Sequence, residues 1–269
     1  QEIGFVQGEI RACKGLVKYY ENDPEIYEKL RYSLMLVGLY VKHGKNDELA
    51  DSYYGLGKLY YNEKLFSKSL ENFELASKQT IEDNSLYFNV NIWLVRVKRQ
   101  TNEIDEAVLL ATKLELKSKD QTLIQKIELQ KEKAETYHLL RAYDEELVSY
   151  ETIAELIDGT EYEYFEAANW NNIGYTQKYL NNFRDSKTAF YAAIRSEKVD
   201  NELSGAAYYN LGIIYQNIEN IDSALICFDK SRRHFKKDKN TEMIAKCYNM
   251  EAMVCYTQTL QRLTIQELV

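Results

Sequence analysis

One proline and eleven glycines in 269 residues leave little in this chain to interrupt a helix. With so few breakers, and with Leu, Glu, Lys, Ala and Tyr plentiful, a mostly helical protein is favoured over a sandwich or barrel. Long apolar runs are also missing. No stretch approaches the ~20 residues needed to span a bilayer, and the opening QEIGFVQGEIRACK lacks the basic head and apolar core of a signal peptide. Basic charge is in deficit, with 34 Lys and Arg against 42 Asp and Glu and a formal net charge of -8. Affinity for polyphosphate rests on Lys and Arg neutralising phosphates, so the expectation is no direct nucleic-acid binding, no membrane, and a soluble, cytoplasmic chain.

The reactive residues are as sparse. His43, His138 and His234 are far apart and read as solvated surface or loop residues, and Glu145-Glu146, Glu161, Glu163 and Glu166 as exposed helix-face carboxylates. Cys13, Cys227, Cys247 and Cys255 contain no CxxC spacing and read as buried, reduced thiols. No P-loop, GxGxxG, GxSxG or HExxH occurs. The chain is expected to hold no catalytic residues, metal or cofactor, and not to be an enzyme.

What is present is a repeat. Tyr53-Tyr-Gly-Leu56-Gly57-Lys-Leu-Tyr60 is followed by Ser69-x-x-x-Phe73 and Ala76. Trp170-Asn-Asn-Ile173-Gly174 is followed by Ser186-x-x-x-Phe190 and Ala193, and Tyr208-Tyr-Asn-Leu211-Gly212-Ile-Ile-Tyr215 by Ala224-x-x-x-Phe228. All three fit the W-x2-L-G-x2-Y…A-x3-F pattern of tetratricopeptide helix pairs. The pattern has a mechanical cause. Aromatic, Leu and Tyr recur at helical spacing as one apolar stripe, and the Gly lets the second helix approach. The small residue and Phe, four apart, present a stripe back to the first helix and to the next pair. One pair alone cannot bury both stripes, so stacking follows.

Weaker copies fill the gaps: Tyr87 to Leu94 with Ile104 to Ala111, then Gln121 to Ala142 with Glu145 to Ile157. Units recur every 38 to 40 residues, longer than the usual ~34. Turns are predicted at Asn62-Glu63, Asn102-Glu103, Asn181-Asn182 and Glu219-Asn220 within pairs, and at Asp83-Asn84, Asp158-Gly159 and Asp200-Asn201 between them. Residues 1-20 read as a helix. Asn22-Asp23-Pro24 reads as the cap of a second one that runs to about His43 and closes at Gly44-Lys45. Thr257 to Val269 reads as a last helix. The expected fold is thus an all-α, right-handed superhelix of about six tetratricopeptide-like helix pairs. It forms a single domain over 1-269, with an N-terminal helix pair at 1-44 and repeats at 45-269.

First helices line the concave groove of such a superhelix, which places Asn171, Asn172, Tyr175, Tyr209, Asn210, Ile213, Gln216 and Asn217 on it. Asn249, Met250 and Met253 occupy the same positions in the last unit, and Asn89, Trp93, Arg96 and Arg99 in a weaker one. Asparagine is mediocre inside a helix. An amide that donates and accepts at once suits clamping an extended peptide backbone, while Arg96 and Arg99 could pair with a peptide carboxylate. The alternative is that these asparagines only bond between neighbouring repeats. The basic run Ser231 to Lys239 complements a helix C-terminus or docks an acidic partner.

The ~40-residue units, the Tyr/Asn/Lys-rich composition and the segment NLGIIYQNIENIDSALICFDKS resemble the peptide-pheromone receptors of low-GC Gram-positive bacteria, the NprR, PlcR and Rap group. The resemblance covers about 45-269. It implies a cytosolic quorum-sensing regulator whose groove takes a short signalling peptide or protein tail, with Asn172 and Asn210 holding the backbone. Transcription-regulating members carry an N-terminal helix-turn-helix. None is evident here and there is no initiator Met, so the expectation is that a DNA-binding part upstream is missing. Two alternatives stay open: a Rap-like phosphatase or inhibitor of a response regulator, and a generic scaffold binding a protein tail. Exposed aromatics in the terminal units make a homodimer a further expectation.

Overall fold

The protein is described by a computed structural model covering residues 2–20, 26–43, 46–81, 84–117, 119, 121–197 and 199–267. The capping triplet Asn22-Asp23-Pro24 and the closing Gly44-Lys45 lie outside these residues. Thirteen α-helices are present among them: α1 Glu2–Tyr19, α2 Ile26–His43, α3 Asn46–Asn62, α4 Phe66–Gln79, α5 Ser85–Gln100, α6 Ile104–Leu116, α7 Leu123–Leu140, α8 Tyr143–Ile157, α9 Glu166–Tyr179, α10 Phe183–Arg195, α11 Asn201–Asn217, α12 Ile221–Lys237 and α13 Thr241–Glu267. A 3-10 turn, Glu163–Phe165, precedes α9. No strand occurs among the described residues. The chain divides into two compact units, residues 1–136 and 137–269.

Three of the helix pairs are each built around one glycine. A Cβ on Gly57 would stand 2.7 Å from the ring of Phe73, one on Gly174 2.9 Å from Phe190, and one on Gly212 2.5 Å from Phe228. All three phenylalanines are fully buried. The same approach places a serine of the second helix on the glycine carbonyl twelve residues earlier: Ser69 Oγ donates to Gly57 O at 2.8 Å and Ser186 Oγ to Gly174 O at 2.6 Å. In the third copy Ala224 takes the serine's place, and Ser231 instead donates to Gly205 O at 2.8 Å. A glycine inside a helix costs about 1 kcal/mol against alanine; close packing and a satisfied buried hydroxyl offset it here.

The turns within pairs share one backbone solution. Lys64, Asn102, Arg141, Asn181 and Glu219 all have φ between 57° and 66° and recur at the interval of 38 to 40 residues. In each turn, the N–H of the left-handed residue and that of its successor reach back to helix carbonyls, as in Lys64 N to Tyr61 O and Leu65 N to Tyr60 O. This is a Schellman termination, built here without glycine. Helices also start on side-chain caps at Asn84, Asp200, Asn220 and Asn240, each contributing about 1 kcal/mol.

In the first unit, Phe73, Ala76, Val90, Leu94 and Val97 form one core cluster, and Phe88, Ile92, Val95, Ala107 and Ala111 belong to another. In the second, Phe190, Ala207, Leu211 and Ile214 pack together, and Ala224 and Phe228 pack with Val254 of α13. The helix break expected before Thr257 does not occur. Thr241 to Glu267 contains neither Gly nor Pro, so nothing stops the turn. Cys13, Cys227 and Cys247 are buried free thiols, whereas Cys255 is exposed.

Candidate functional site: the first-helix face of α9 and α11

On α9, Asn171, Asn172, Tyr175, Lys178 and Tyr179 fall three to four residues apart and share one face. Tyr209, Asn210, Ile213 and Gln216 do the same on α11. Lys178 ties the two stripes together: its Nζ donates to Asn210 Oδ1 at 2.7 Å, while Asn210 Nδ2 donates to Ala206 O at 3.1 Å. The ammonium also lies 4.4 Å from the centre of the Tyr175 ring and 5.7 Å from that of Tyr179. No carboxylate pairs with Lys178 among the described residues, and burial alone pulls its pKa down to about 8. The ring faces and one amide oxygen replace part of the water an ammonium would hold.

Behind this cation stands a polar aromatic cluster. Tyr175 and Tyr179 share a hydroxyl–hydroxyl bond of 2.8 Å, and Tyr143 stacks on Tyr179 with centres 4.9 Å apart. Desolvation first, and the Tyr179 bond second, push the Tyr175 pKa up to about 12. His138 packs edge-on to Tyr179 at 5.3 Å, and its Nδ1 meets Glu146 Oε2 at 2.9 Å. A carboxylate only accepts, so the imidazole N–H donates. Glu146 is 2% exposed, and its other oxygen accepts from Thr176 Oγ1 at 2.8 Å. The expectations of a solvated His138 and an exposed Glu146 are therefore corrected. Residue type suggested surface; Thr176 and the tyrosines make a satisfied, sheltered pair.

The other expected residues fall into three groups. Asn171 is half-buried with an Oδ1 that has no hydrogen-bond partner, and Asn172 and Gln216 are half-buried on the same faces. Tyr209 meets Phe228 edge-on at 5.7 Å, and Asn249 is exposed on α13. In the first unit the polar groups are already engaged. Asn89 Oδ1 accepts from Gln125 Nε2 at 2.7 Å. Arg96 lies 4.2 Å over Trp93 and bonds Glu132 through Nε at 2.7 Å; Arg99 bonds Glu132 at 2.9 Å and also Glu135. Glu132 is 1% exposed, so both guanidiniums serve as its internal counter-charges. Of the basic run, Arg232 pairs with Asp229 and Glu251 and lies 4.8 Å over Tyr248.

Lys178, Tyr179, Tyr143, His138 and Glu146 were not singled out from the sequence as parts of a groove. Lys178 and Tyr179 had a signal, lying three and four residues beyond Tyr175. His138 and Glu146 had none, since only tertiary packing brings them to Tyr175 and Thr176. Among the described residues no group of three or more His, Cys, Asp or Glu could hold a metal ion, and no helix is long and apolar enough to cross a membrane.

A family model described as tetratricopeptide repeat matches residues 205–231, within α11 and α12. No curated protein matches in sequence. Solved structures that resemble the chain include a signal-transduction ATPase with numerous domains, bearing a tetratricopeptide-repeat sensor, from Pyrococcus horikoshii. There the TM-score is 0.68 and the identity 15%, over 94% of this chain and 40% of that one. BtubC from P. vanneervenii gives a TM-score of 0.60 and 17% identity over 88% of this chain and 92% of its own. The APC/C hetero-tetramer Cut9–Hcn1 gives 0.62 and 13% over 88% and 40%, so this chain spans about two fifths of that chain's length. At such identities the likeness establishes fold. The chain thus folds as an all-α array of tetratricopeptide-like helix pairs.

Proposed function

We propose that this domain binds a short extended polypeptide along the α9–α11 face and acts as the peptide-sensing part of a cytosolic regulator. The observation that carries the proposal is Lys178: a desolvated ammonium on a first helix, with no carboxylate partner among the described residues, bonded across to Asn210. A desolvated cation without a counter-charge costs stability, and an anionic group on a ligand would relieve that cost. Asn171 adds an unpaired acceptor for a backbone N–H, and Asn172 lies beside it. The ligand is then a peptide with an acidic side chain or free C-terminal carboxylate close to an exposed backbone N–H. Tyr175 and Tyr179 supply a flat apolar wall for a neighbouring side chain.

Calorimetric titration of the full chain with a pool of short peptides, half with acidic residues and half with their amides, tests this. Micromolar binding confined to the acidic set, lost in Lys178→Met and weakened at least tenfold in Asn210→Ala, is expected. Equal binding of acid and amide peptides, or none by a chain of wild-type helicity, refutes it. The quorum-sensing role rests on the resemblance of the repeats alone, and a small secreted-peptide gene beside this one would support it.

A further inference from the structure

A second feature of the same unit lies where α8 ends and α9 begins, and the α9–α11 face does not use it. Ala154, Glu155, Ile157 and Asp158 from the end of α8, Glu163 from the 3-10 turn, and Glu166, Asn169 and Trp170 from the start of α9 line a cleft of about 500 Å³. Four of these eight side chains are carboxylates, and none has an ion-pair partner among the described residues; Glu166 alone accepts a bond there, from Ser196 Oγ at 2.9 Å.

Helix electrostatics explain only half of this charge. Glu163 and Glu166 sit before and within the first turn of α9, where the positive end of a helix favours them. Glu155 and Asp158 stand at the opposite pole. They occupy the last turn and C-cap of α8, where the dipole is negative and cations are the favoured residues, and that turn contains no basic residue at all. Two acidic groups are thus held at an unfavourable place with no cation to offset them. The second observation is independent. Asn169 is 5% exposed; its Nδ2 donates to Tyr150 O at 2.9 Å, and its Oδ1, on a residue of the cleft wall, has no partner. A buried acceptor left open costs about 1–3 kcal/mol. Apart from the indole N–H, the polar groups left open at the cleft are acceptors, and no cation of the described residues lies over that indole.

We infer that this cleft binds an organic cation of the guanidinium class, stacked on Trp170, donating to Asn169 Oδ1 and to the carboxylates of Glu155 and Asp158. A guanidinium fits on three counts: its plane matches the indole face, its several N–H groups serve acceptors spread around it, and it is weakly hydrated. A bare metal ion fits poorly, because the carboxylates do not converge into a ligand cluster. The group comes either from an arginine side chain of a polypeptide or from a free small guanidine.

The test follows the indole N–H resonance of Trp170, assigned with Trp170→Phe, in the full chain titrated with acetyl-arginine-amide, methylguanidinium and acetyl-citrulline-amide. Saturable shifts with the two guanidiniums, weakened by added salt and absent with the neutral citrulline, are expected. Tighter binding of the arginine derivative identifies a polypeptide source, and equal binding a free small cation; both support the site. The double variant Glu155→Gln with Asp158→Asn binds at least tenfold more weakly yet melts no lower than wild type, since it removes charge from the wrong end of α8. Equal shifts with citrulline, no saturation at millimolar guanidinium, or unchanged affinity in the double variant would overturn the assignment. Lys178→Met leaves this binding intact, which keeps the outcome separate from that of the peptide face.

Discussion

Two alanine substitutions two residues apart on α3 should move stability in opposite directions. A methyl group on Gly57 would stand 2.7 Å from Cδ1 and Cε1 of Phe73, whereas one on Gly55 meets nothing within 4 Å. Carbon–carbon contacts relax at about 3.5–4.0 Å, so α3 and α4 must separate or Phe73 must move by roughly 1 Å. Phe73 has little room. It is fully buried, stacked on Trp93 at 5.6 Å and tilted against Tyr54 at 5.9 Å. Separating the helices instead lengthens the buried Ser69 Oγ to Gly57 O bond. Overpacking of this kind costs about 1–3 kcal/mol, and a strained buried hydrogen bond adds up to about 1 kcal/mol. Better helix propensity returns about 1 kcal/mol. The net for Gly57→Ala is a loss of up to about 3 kcal/mol, while Gly55→Ala keeps the propensity gain of about 0.5–1 kcal/mol. At about 2–4 °C per kcal/mol for chains of this size, the two variants should separate clearly in thermal and urea melts followed by circular dichroism. Phe73→Leu in the Gly57→Ala background should recover part of the loss. Equal melting of both alanine variants would refute the account of the glycine as a packing residue.

Three further outcomes are expected. Glu132→Ala leaves Arg96 and Arg99 without their shared counter-charge and should lower the first unit's stability by about 3–5 kcal/mol in urea unfolding; a change under 1 kcal/mol sinks that account. Lys178 titrates near 8 when folded and near 10.4 when unfolded, so between those values the unfolded chain binds more protons and stability rises with pH. Lys178→Met should therefore melt higher than wild type at pH 7, with the gap closing towards pH 10; a gap constant with pH contradicts the burial of the charge. Arg141→Gly and Glu219→Gly relieve a left-handed penalty of about 1–2 kcal/mol per residue, partly offset by glycine's backbone entropy, and should each stabilise by about 0.5–1 kcal/mol. Asn181→Gly should gain less, since asparagine tolerates that conformation.

The helices were legible because the signals are local. The Gly57, Gly174 and Gly212 motifs specify their own packing partners, and Asn84, Asp200 and Asn220 specify helix starts at turns that composition already marks. The repeat interval was legible too, and the left-handed residues reproduce it. Illegible were the features that need two helices to meet. Nothing within α7 or α8 says that His138 faces Glu146, and nothing in the spacing of Arg96 and Arg99 says that Glu132 lies between them. A charged residue at helical spacing has the same local pattern whether it is solvated, neutralised by a neighbour, or held open.

That distinction separates two sets of side chains in a respect that bears on ligand binding. Three cations on the first helices of residues 1–136 are closed on carboxylates: Arg96 and Arg99 on Glu132, and Lys133 on Glu115 at 2.7 Å. To engage a ligand there, a guanidinium must first abandon a nearly inaccessible carboxylate, which costs more than an exposed contact returns. In residues 137–269, Lys178 bonds only to a neutral amide, Asn171 keeps an unpaired oxygen, and Asn169 keeps another beside four carboxylates without ion-pair partners among the described residues. Lys178 and the two amide oxygens lose water on folding without full replacement, and a ligand could supply what is missing. On this reasoning Arg96, Arg99 and Lys133 use their charge for stability, while Lys178 and Asn171 give up some stability to stay open, so a ligand that needs a cation is expected at the α9–α11 face rather than at Arg96 and Arg99.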